Sequence, residues 1–203
     1  MGTYLRKQIG FCLFNYEEEL IMSVKVNTKV ITGKVRLCYT NLFEPRIMDL
    51  GQEPRYSVCI LIPKSDKKTL ESIVKGVEGA KLSGAALWGG KIPVDLKLPL
   101  RDGDEERGEH EEFANHYFIN ATSKQRPGVV DKSLRDILEP GVVYSGCYGR
   151  VSINFYAFNQ GGNKGVGCGL QNVQKLGDGE FLSGRSRAQD DFEMVEDEDN
   201  ETW

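Results

Sequence analysis

The chain has 203 residues, 39% of them hydrophobic, and its 26 Lys and Arg stand against 30 Asp and Glu for a net charge of −4. That is enough apolar content for one good core, while no apolar run approaches the roughly 20 residues of a membrane-crossing helix. The five cysteines, Cys12, Cys38, Cys59, Cys147 and Cys168, are odd in number and form no C-x-x-C pair, which argues against a disulfide framework and a zinc site and for free thiols in a reducing cytoplasm.

At the N-terminus, residues 1–21 have a basic start and a short apolar patch, but Gly10 breaks the patch and Glu17, Glu18 and Glu19 follow where a signal peptide would have small residues. In a bacterial or phage gene a purine-rich ribosome-binding site, read in frame, encodes such glutamates a few codons before the initiator. Met22 is therefore the expected start, with residues 1–21 an upstream-translated or disordered extension, residues 22–188 the folded domain and residues 189–203 a disordered tail.

From Lys29, KVITGKVRLCYTNLF alternates with Ile31, Val35, Leu37 and Tyr39 on one side and Thr32, Lys34, Arg36 and Thr40 on the other, the period-2 pattern of a half-buried strand with its basic side outward. YSVCILIP from Tyr56 is apolar throughout and predicts a central strand covered on both faces. A helix follows, with Ser65 as its cap, Asp66 on its dipole and Leu70, Ile73, Val74 and Val77 at helical spacing until Gly79. The stretch from Leu87 to Glu112 reads as a charged, turn-rich insertion. Strand character returns at HYFINATS from His116, and a Pro-Gly turn carrying Lys124, Arg126 and Lys132 comes next. The strongest β signal runs from Gly141 to Asn159. Several strands with one helix and no βαβ rhythm predict a small curved sheet or barrel.

Within Gly141 to Asn159 the odd positions Val143, Cys147, Val151, Ile153, Phe155 and Ala157 are apolar, and the even positions gather Tyr144, Tyr148, Arg150, Asn154, Tyr156 and Phe158. Rings beside cations on an exposed sheet suit single-stranded nucleic acid, because bases stack on the rings and Lys or Arg neutralise phosphates. The same rings could equally pack beneath the long loops. The glycine-rich run Gln160 to Leu170 lacks the G-K-[ST] ending of a phosphate loop and reads as a turn or hairpin, with Lys164 available to phosphate. His110 and His116 lie six apart and do not share a helical face, and no nucleophile elbow or Cys–His pairing is evident, so nothing demands an enzyme, a metal or a cofactor.

Residues 189–203 hold eight carboxylates and no Lys or Arg, so residues 1–188 stand at +4. Like charges at this density repel one another and cannot bury enough apolar surface to order themselves. Asp190, Asp191, Glu196, Asp197, Glu198, Asp199 and Glu201 are interleaved with Phe192 and the terminal Trp203, aromatic groups that a solubility tail does not need and a partner-binding arm does.

The segments ITGKVRLCYTNLFEPR, YSVCILIPKSD, WGGKIP, PLRDGDEER, HYFINATSKQRPGVVD, YSGCYGRVSINFYAFN, NKGVGCGLQNVQKL and GRSRAQDDF resemble, in order and spacing, a bacteriophage single-stranded DNA-binding protein family. The resemblance runs from about Val30 to Phe192 and leaves residues 1–21 outside. It implies an oligonucleotide-binding (OB) fold, a partly open five-stranded β-barrel with one helix, long loops and an acidic tail, and non-catalytic binding of single-stranded DNA in phage replication and recombination. On this reading Tyr144, Tyr148, Tyr156 and Phe158 stack bases, Lys34, Arg36, Lys124, Arg126, Arg150 and Lys164 follow the phosphates, and the tail competes with DNA and recruits replication or recombination proteins. A homo-oligomer is compatible with it. The alternative is a β-rich phage structural or assembly protein whose exposed aromatics meet other subunits. Intact mass of the native protein checks the start: a mass beginning at Met22 is expected, and one that includes residues 1–21 contradicts it.

Overall fold

The computed structural model describes residues 27–47, 51 and 53–182. The extension over residues 1–21, the acidic tail over residues 189–203 and Cys12 lie outside the described residues. Among the described residues eight strands are formed: β1 (Lys29–Ile31), β2 (Val35–Arg46), β3 (Arg55–Pro63), β4 (Arg101–Asp102), β5 (His116–Ser123), β6 (Gly128–Val130), β7 (Tyr148–Gln160) and β8 (Asn163–Gly177). The main helix, α1 (Lys67–Gly84), separates β3 from β4, and a single turn, α2 (Gly103–Glu106), follows β4.

Five strands close on themselves. β2 pairs antiparallel with β3, β3 with β5, and β7 with both β8 and β2. The ring is completed by a parallel contact of β5 with β8 at Thr122↔Gly169. Short pairings at β2–β7 and β5–β8 leave the barrel partly open, and the order β2-β3-β5-β8-β7 is that of an OB fold. β1 and β6 extend the wall formed by β7 and β8.

The barrel interior is filled by alternate residues, as the pleat requires. Leu37, Val58, Ile60, Ile62, Ile119, Ala121, Val151, Ile153 and Phe155 are buried in one cluster with Leu70, Ile73 and Val77 of α1. A second cluster, Cys38, Cys59, Leu61, Phe113 and Phe118, lies on the other face of β3. The apolar run of β3 is thus buried on both sides, as its composition predicts. Burial raises the Cys38 and Cys59 thiols to about 12, so both remain protonated thiols.

Several boundaries differ from the sequence reading. The expected single strand from Lys29 divides into β1 and β2 at a turn over residues 32–34, which reverses the earlier parity: Ile31 is exposed, whereas Thr32 is fully buried and its Oγ1 accepts the Val151 N–H at 3.0 Å. Tyr39, expected inside, is exposed, because a register shift between Cys38 and Asn41 places it at φ 47° and swings its ring outward. The helix cap is Asp66 instead of Ser65, its carboxylate accepting the Thr69 N–H at 3.1 Å. The helix runs past Gly79 to Gly84, and Val74 faces solvent. The glycine-rich run after Gln160 does form the expected hairpin, turning at Gly161 and Gly162 with φ 55° and 80°, but most of it is strand β8.

Helix α1 reaches the barrel through small residues. A Cβ on Gly76 would come within 2.8 Å of the Phe155 ring, and one on Gly84 would overlap the side chain of Ala157. Gly84→Ala is therefore expected to destabilise the protein by about 1–3 kcal/mol through overpacking, against the roughly 1 kcal/mol that alanine ordinarily gains over glycine in a helix. Urea unfolding checks the sign.

Candidate nucleic-acid interface

On β7 the predicted alternation holds from Tyr148 onward. Gly149, Val151, Ile153 and Phe155 point inward; Tyr148, Arg150, Ser152, Asn154 and Tyr156 point outward. Tyr156 lies over Gly167 of β8, where any side chain would strike its ring, and reaches van der Waals distance of Gly169; it is 43% exposed. Phe158 is half-buried: its carbonyl accepts the Trp88 indole N–H at 3.0 Å, and its ring abuts Gly165. Lys164 belongs to β8 opposite Asn159, and its carbonyl accepts the Lys97 N–H.

Tyr144 is the correction. It precedes β7, so strand parity does not govern it, and it is 8% exposed in the core. Its hydroxyl lies 3.0 Å from both Asp178 Oδ1 and the Gly179 carbonyl and accepts the Gly179 N–H at 3.2 Å, while its ring packs against Phe181. Tyr144 holds the chain that leaves β8 instead of offering a face to ligand.

The structure gathers Lys34, Arg36 and Tyr148 at one place. Lys34 Nζ sits 4.4 Å from the Tyr148 ring centroid and the Arg36 guanidinium 5.9 Å from it, within cation–π range. Arg36 also donates to the Gly146 and Glu180 carbonyls at 3.3 and 3.0 Å, and the Glu180 carboxylate is 3.8 Å away. Lys124 and Arg126 form a separate group beyond β5, Lys124 paired with Glu53 and Arg126 5.6 Å over the Phe43 ring.

Between these groups, on the outer face of β2, β3 and β5, is a concavity of about 230 Å³ that sequence reasoning missed. Tyr39, Asn41, Asn120, Arg107 and Phe113 line it. The Tyr39 and Phe113 rings are 6.5 Å apart at 29°, and Phe113 meets Phe118 edge-on at 5.2 Å. Asn41 is held by a 3.1 Å bond to Ser57 Oγ. Burial, reinforced by the nearby Glu112 carboxylate, raises the Tyr39 phenol above its ordinary value, so it presents a neutral ring. β3 and β5 are the second and third strands of the barrel, the pair whose face OB folds use for oligonucleotides. Arg107 and Phe113 arrive from the insertion, which no local pattern could have placed; Tyr39 carried the only available signal, an aromatic beside cations.

The insertion is fastened at Lys64, whose ammonium contacts Asp102 at 2.6 Å and Asp104 at 2.7 Å. Asp104 further accepts the Asn115 N–H, so α2 and the Phe113 turn are pinned to β5. The last described segment passes beside Arg36 and Tyr148 and ends with Leu182 against the outer-face cluster of Cys38, Cys59 and Phe113.

A partly closed OB barrel with aromatic rings and cations on its outer strands defines an oligonucleotide-binding class of protein. The chain belongs to the phage family described as Enterobacter phage Enc34, ssDNA-binding protein, whose family model matches residues 28–202. It is 31% identical over 188 residues to protein p50 of Acyrthosiphon pisum secondary endosymbiont phage 1, covering 84% of this chain and 97% of that one. Its fold is similar to the single-stranded DNA-binding protein from bacteriophage Enc34 solved in complex with ssDNA, at TM-score 0.67 and 24% identity over 77% of this chain and 90% of that one. It is also similar to gp2.5, a single-stranded DNA-binding protein encoded by bacteriophage T7, at TM-score 0.56 and 14% identity over 78% and 97%.

The Lys64 hydrogen bonds lower the Asp102 and Asp104 carboxyls below the ordinary 3.8. A depressed folded value stabilises the fold above the unfolded value and ceases to do so as pH falls through the folded one. Amides over residues 103–115 are therefore expected to lose hydrogen-exchange protection below about pH 4, after correction for intrinsic rates. In Lys64→Met that acid-induced loss should be largely absent, since protection is already reduced at neutral pH.

Proposed function

We propose that this protein binds single-stranded DNA with little sequence preference in phage replication and recombination, inside the infected bacterial cell. The observation that carries the reading is the continuous outer surface from Tyr148, Lys34 and Arg36 across Tyr39 and Asn41 to Asn120 and Arg107, ending near Lys124 and Arg126. Rings spaced along it offer stacking planes, each worth about 1–3 kcal/mol per base, and such planes accept any base. The cations neutralise phosphates and release counterions, a contribution that is also indifferent to sequence. Of the remaining sequence-predicted residues, Arg150 follows Tyr148 on the outer face of β7, Tyr156, Phe158 and Lys164 stand toward the hairpin end, and Tyr144 serves as scaffold.

The acidic tail has a physical role in this reading. The chain reaches Leu182 at the margin of the concavity, and the 21 residues beyond it span at most about 70 Å. Asp190, Asp191, Phe192, Glu196, Asp197, Glu198, Asp199, Glu201 and Trp203 are thus tethered beside the cations at high local concentration. Glu180 already sits next to Arg36, which illustrates how a carboxylate can occupy a phosphate position. DNA displaces the tail, and the freed tail recruits replication or recombination proteins. No catalytic step is assigned.

Fluorescence anisotropy with labelled single- and double-stranded oligonucleotides over a salt series tests this. Single-strand preference that weakens with salt is expected, tightening when the chain ends at Ala188. Arg36→Ala should weaken binding and lower the slope of log K against log salt by about 0.7, the value of one single-strand phosphate contact. Unchanged affinity in the truncation removes the competition, and no binding at low salt by either form removes the DNA reading.

A further inference from the structure

A second cleft lies on the opposite wall of the barrel, where β1, β7, β8 and β6 stand side by side. Ile31, Ser152, Asn172 and Gly128 are direct cross-strand neighbours in one row, and Arg150, Gln174 and Val130 form the next. All of these except Gly128 line, together with Leu134, a cavity of about 200 Å³. Its floor is polar and its rims are apolar: Ile31 is 58% exposed on one side and Leu134 73% exposed on the other.

The floor offers unspent hydrogen-bonding capacity. Ser152 Oγ is a buried side-chain atom without a partner among the described residues, an arrangement that native proteins usually avoid. Asn172 Oδ1 accepts the Gly128 N–H at 3.2 Å, which leaves its NH₂ as donor. Gln174 Nε2 donates to the Asp131 carbonyl at 3.2 Å, which leaves its carbonyl oxygen as acceptor. Among the described residues Arg150 donates through Nε to the Thr32 carbonyl at 3.2 Å. Donors and an acceptor side by side between two apolar walls match a flat heterocycle whose edge carries both, the chemistry of a nucleobase.

The rim is built in advance. Leu134 stands at φ 63°, a left-handed conformation that a leucine adopts only when its surroundings impose it. Asp131 imposes it, its carboxylate accepting the Ser133 and Arg135 N–H groups at 2.7 and 3.0 Å and its carbonyl the Leu134 N–H at 3.1 Å. The cleft is also continuous with the surface assigned above, since Arg150 is two residues, about 7 Å, along β7 from Tyr148 on the same face.

We infer that the cleft between Ile31 and Leu134 is a base pocket for single-stranded DNA that has passed over the Lys34 turn from the face of β2, β3 and β5, so that one protein engages a strand on two walls of its barrel. This rests on the DNA-binding reading, and it predicts a length dependence that the first face alone does not. A short strand fills the first face; only a longer one places a base here.

The test uses the full chain and the variant Ile31→Ser with Leu134→Gly, which removes both walls, the glycine substitution suiting the left-handed backbone. Anisotropy is measured with oligonucleotides of about 4 and about 16 nucleotides, the span of sites on single OB barrels. The variant is expected to bind the long strand at least about fivefold more weakly, the lower end of one base contact, and the short strand equally well. A single abasic position near one end of the long strand should cost the parent a similar factor and the variant nothing more. Equal long-strand affinity in parent and variant, or equal losses on short and long strands, overturns the pocket while leaving the first face intact. Absence of any single-strand binding by the parent chain rejects the parent reading and the pocket with it.

Discussion

Everything in this fold depends on β7 pairing on both of its edges. One edge serves β1 and then β2, and the other serves β8 along nearly its whole length. Without the contact of Val35 and Arg36 with Gly149 and Tyr148, β2 and β7 would be two sheet edges and the barrel a curled sheet. Closure also requires close approach. Gly149 sits where a side chain would meet the Gln174 carbonyl and Leu37, so the position that joins three strands is one that only glycine fills without displacement.

Closure turns the outward residues of neighbouring strands toward two different surfaces. A flat sheet would present the outward residues of β2 and β7 to the same side, but a barrel rotates them apart around its circumference. Arg36, Lys34 and Tyr148 lie at the seam. From there Tyr39 and Asn41 lead to the concavity under Phe113, and Arg150 leads to the cleft beside Ser152. A cation stacked on a ring at the seam suits a ligand that alternates flat bases with phosphates, because both groups find a partner at one point of the wall.

The additions to the barrel act on these surfaces. The insertion after α1 contributes Phe113 and Arg107 to the first face and is tied down by the Lys64 ion pairs. The segment after β8 is fastened by the Tyr144 hydroxyl and ends with Leu182 against the cluster of Cys38, Cys59 and Phe113. The buried Tyr144, which resembles its neighbours in composition, thereby differs from them in use: Tyr148 and Tyr156 keep a face toward solvent, whereas Tyr144 positions backbone.

Local pattern was sufficient wherever a repeat of two or of three to four residues spoke for a single face. It identified β3 as doubly covered, the inward and outward residues of β7 from Tyr148, the buried Leu70, Ile73 and Val77 of α1 though not the exposed Val74, and the charge contrast between body and tail. The ordered segments further carried the family and with it the OB barrel. Pattern failed where a turn or bulge shifts parity, since one residue exchanges the faces: Ile31, Thr32 and Tyr39 all changed sides for this reason. It gave the hairpin after Gln160 but not the length of β8, whose outward glycines Gly165, Gly167 and Gly169 leave room for Tyr156 and Phe158 and carry no strand pattern of their own. Only the tertiary structure joined Tyr39 to Phe113 and Arg107, or Ile31 to Leu134 and Asn172. Those groupings are set by strand closure between distant parts of the chain, and a residue's own neighbours in sequence contain no record of which strand will come to lie beside it.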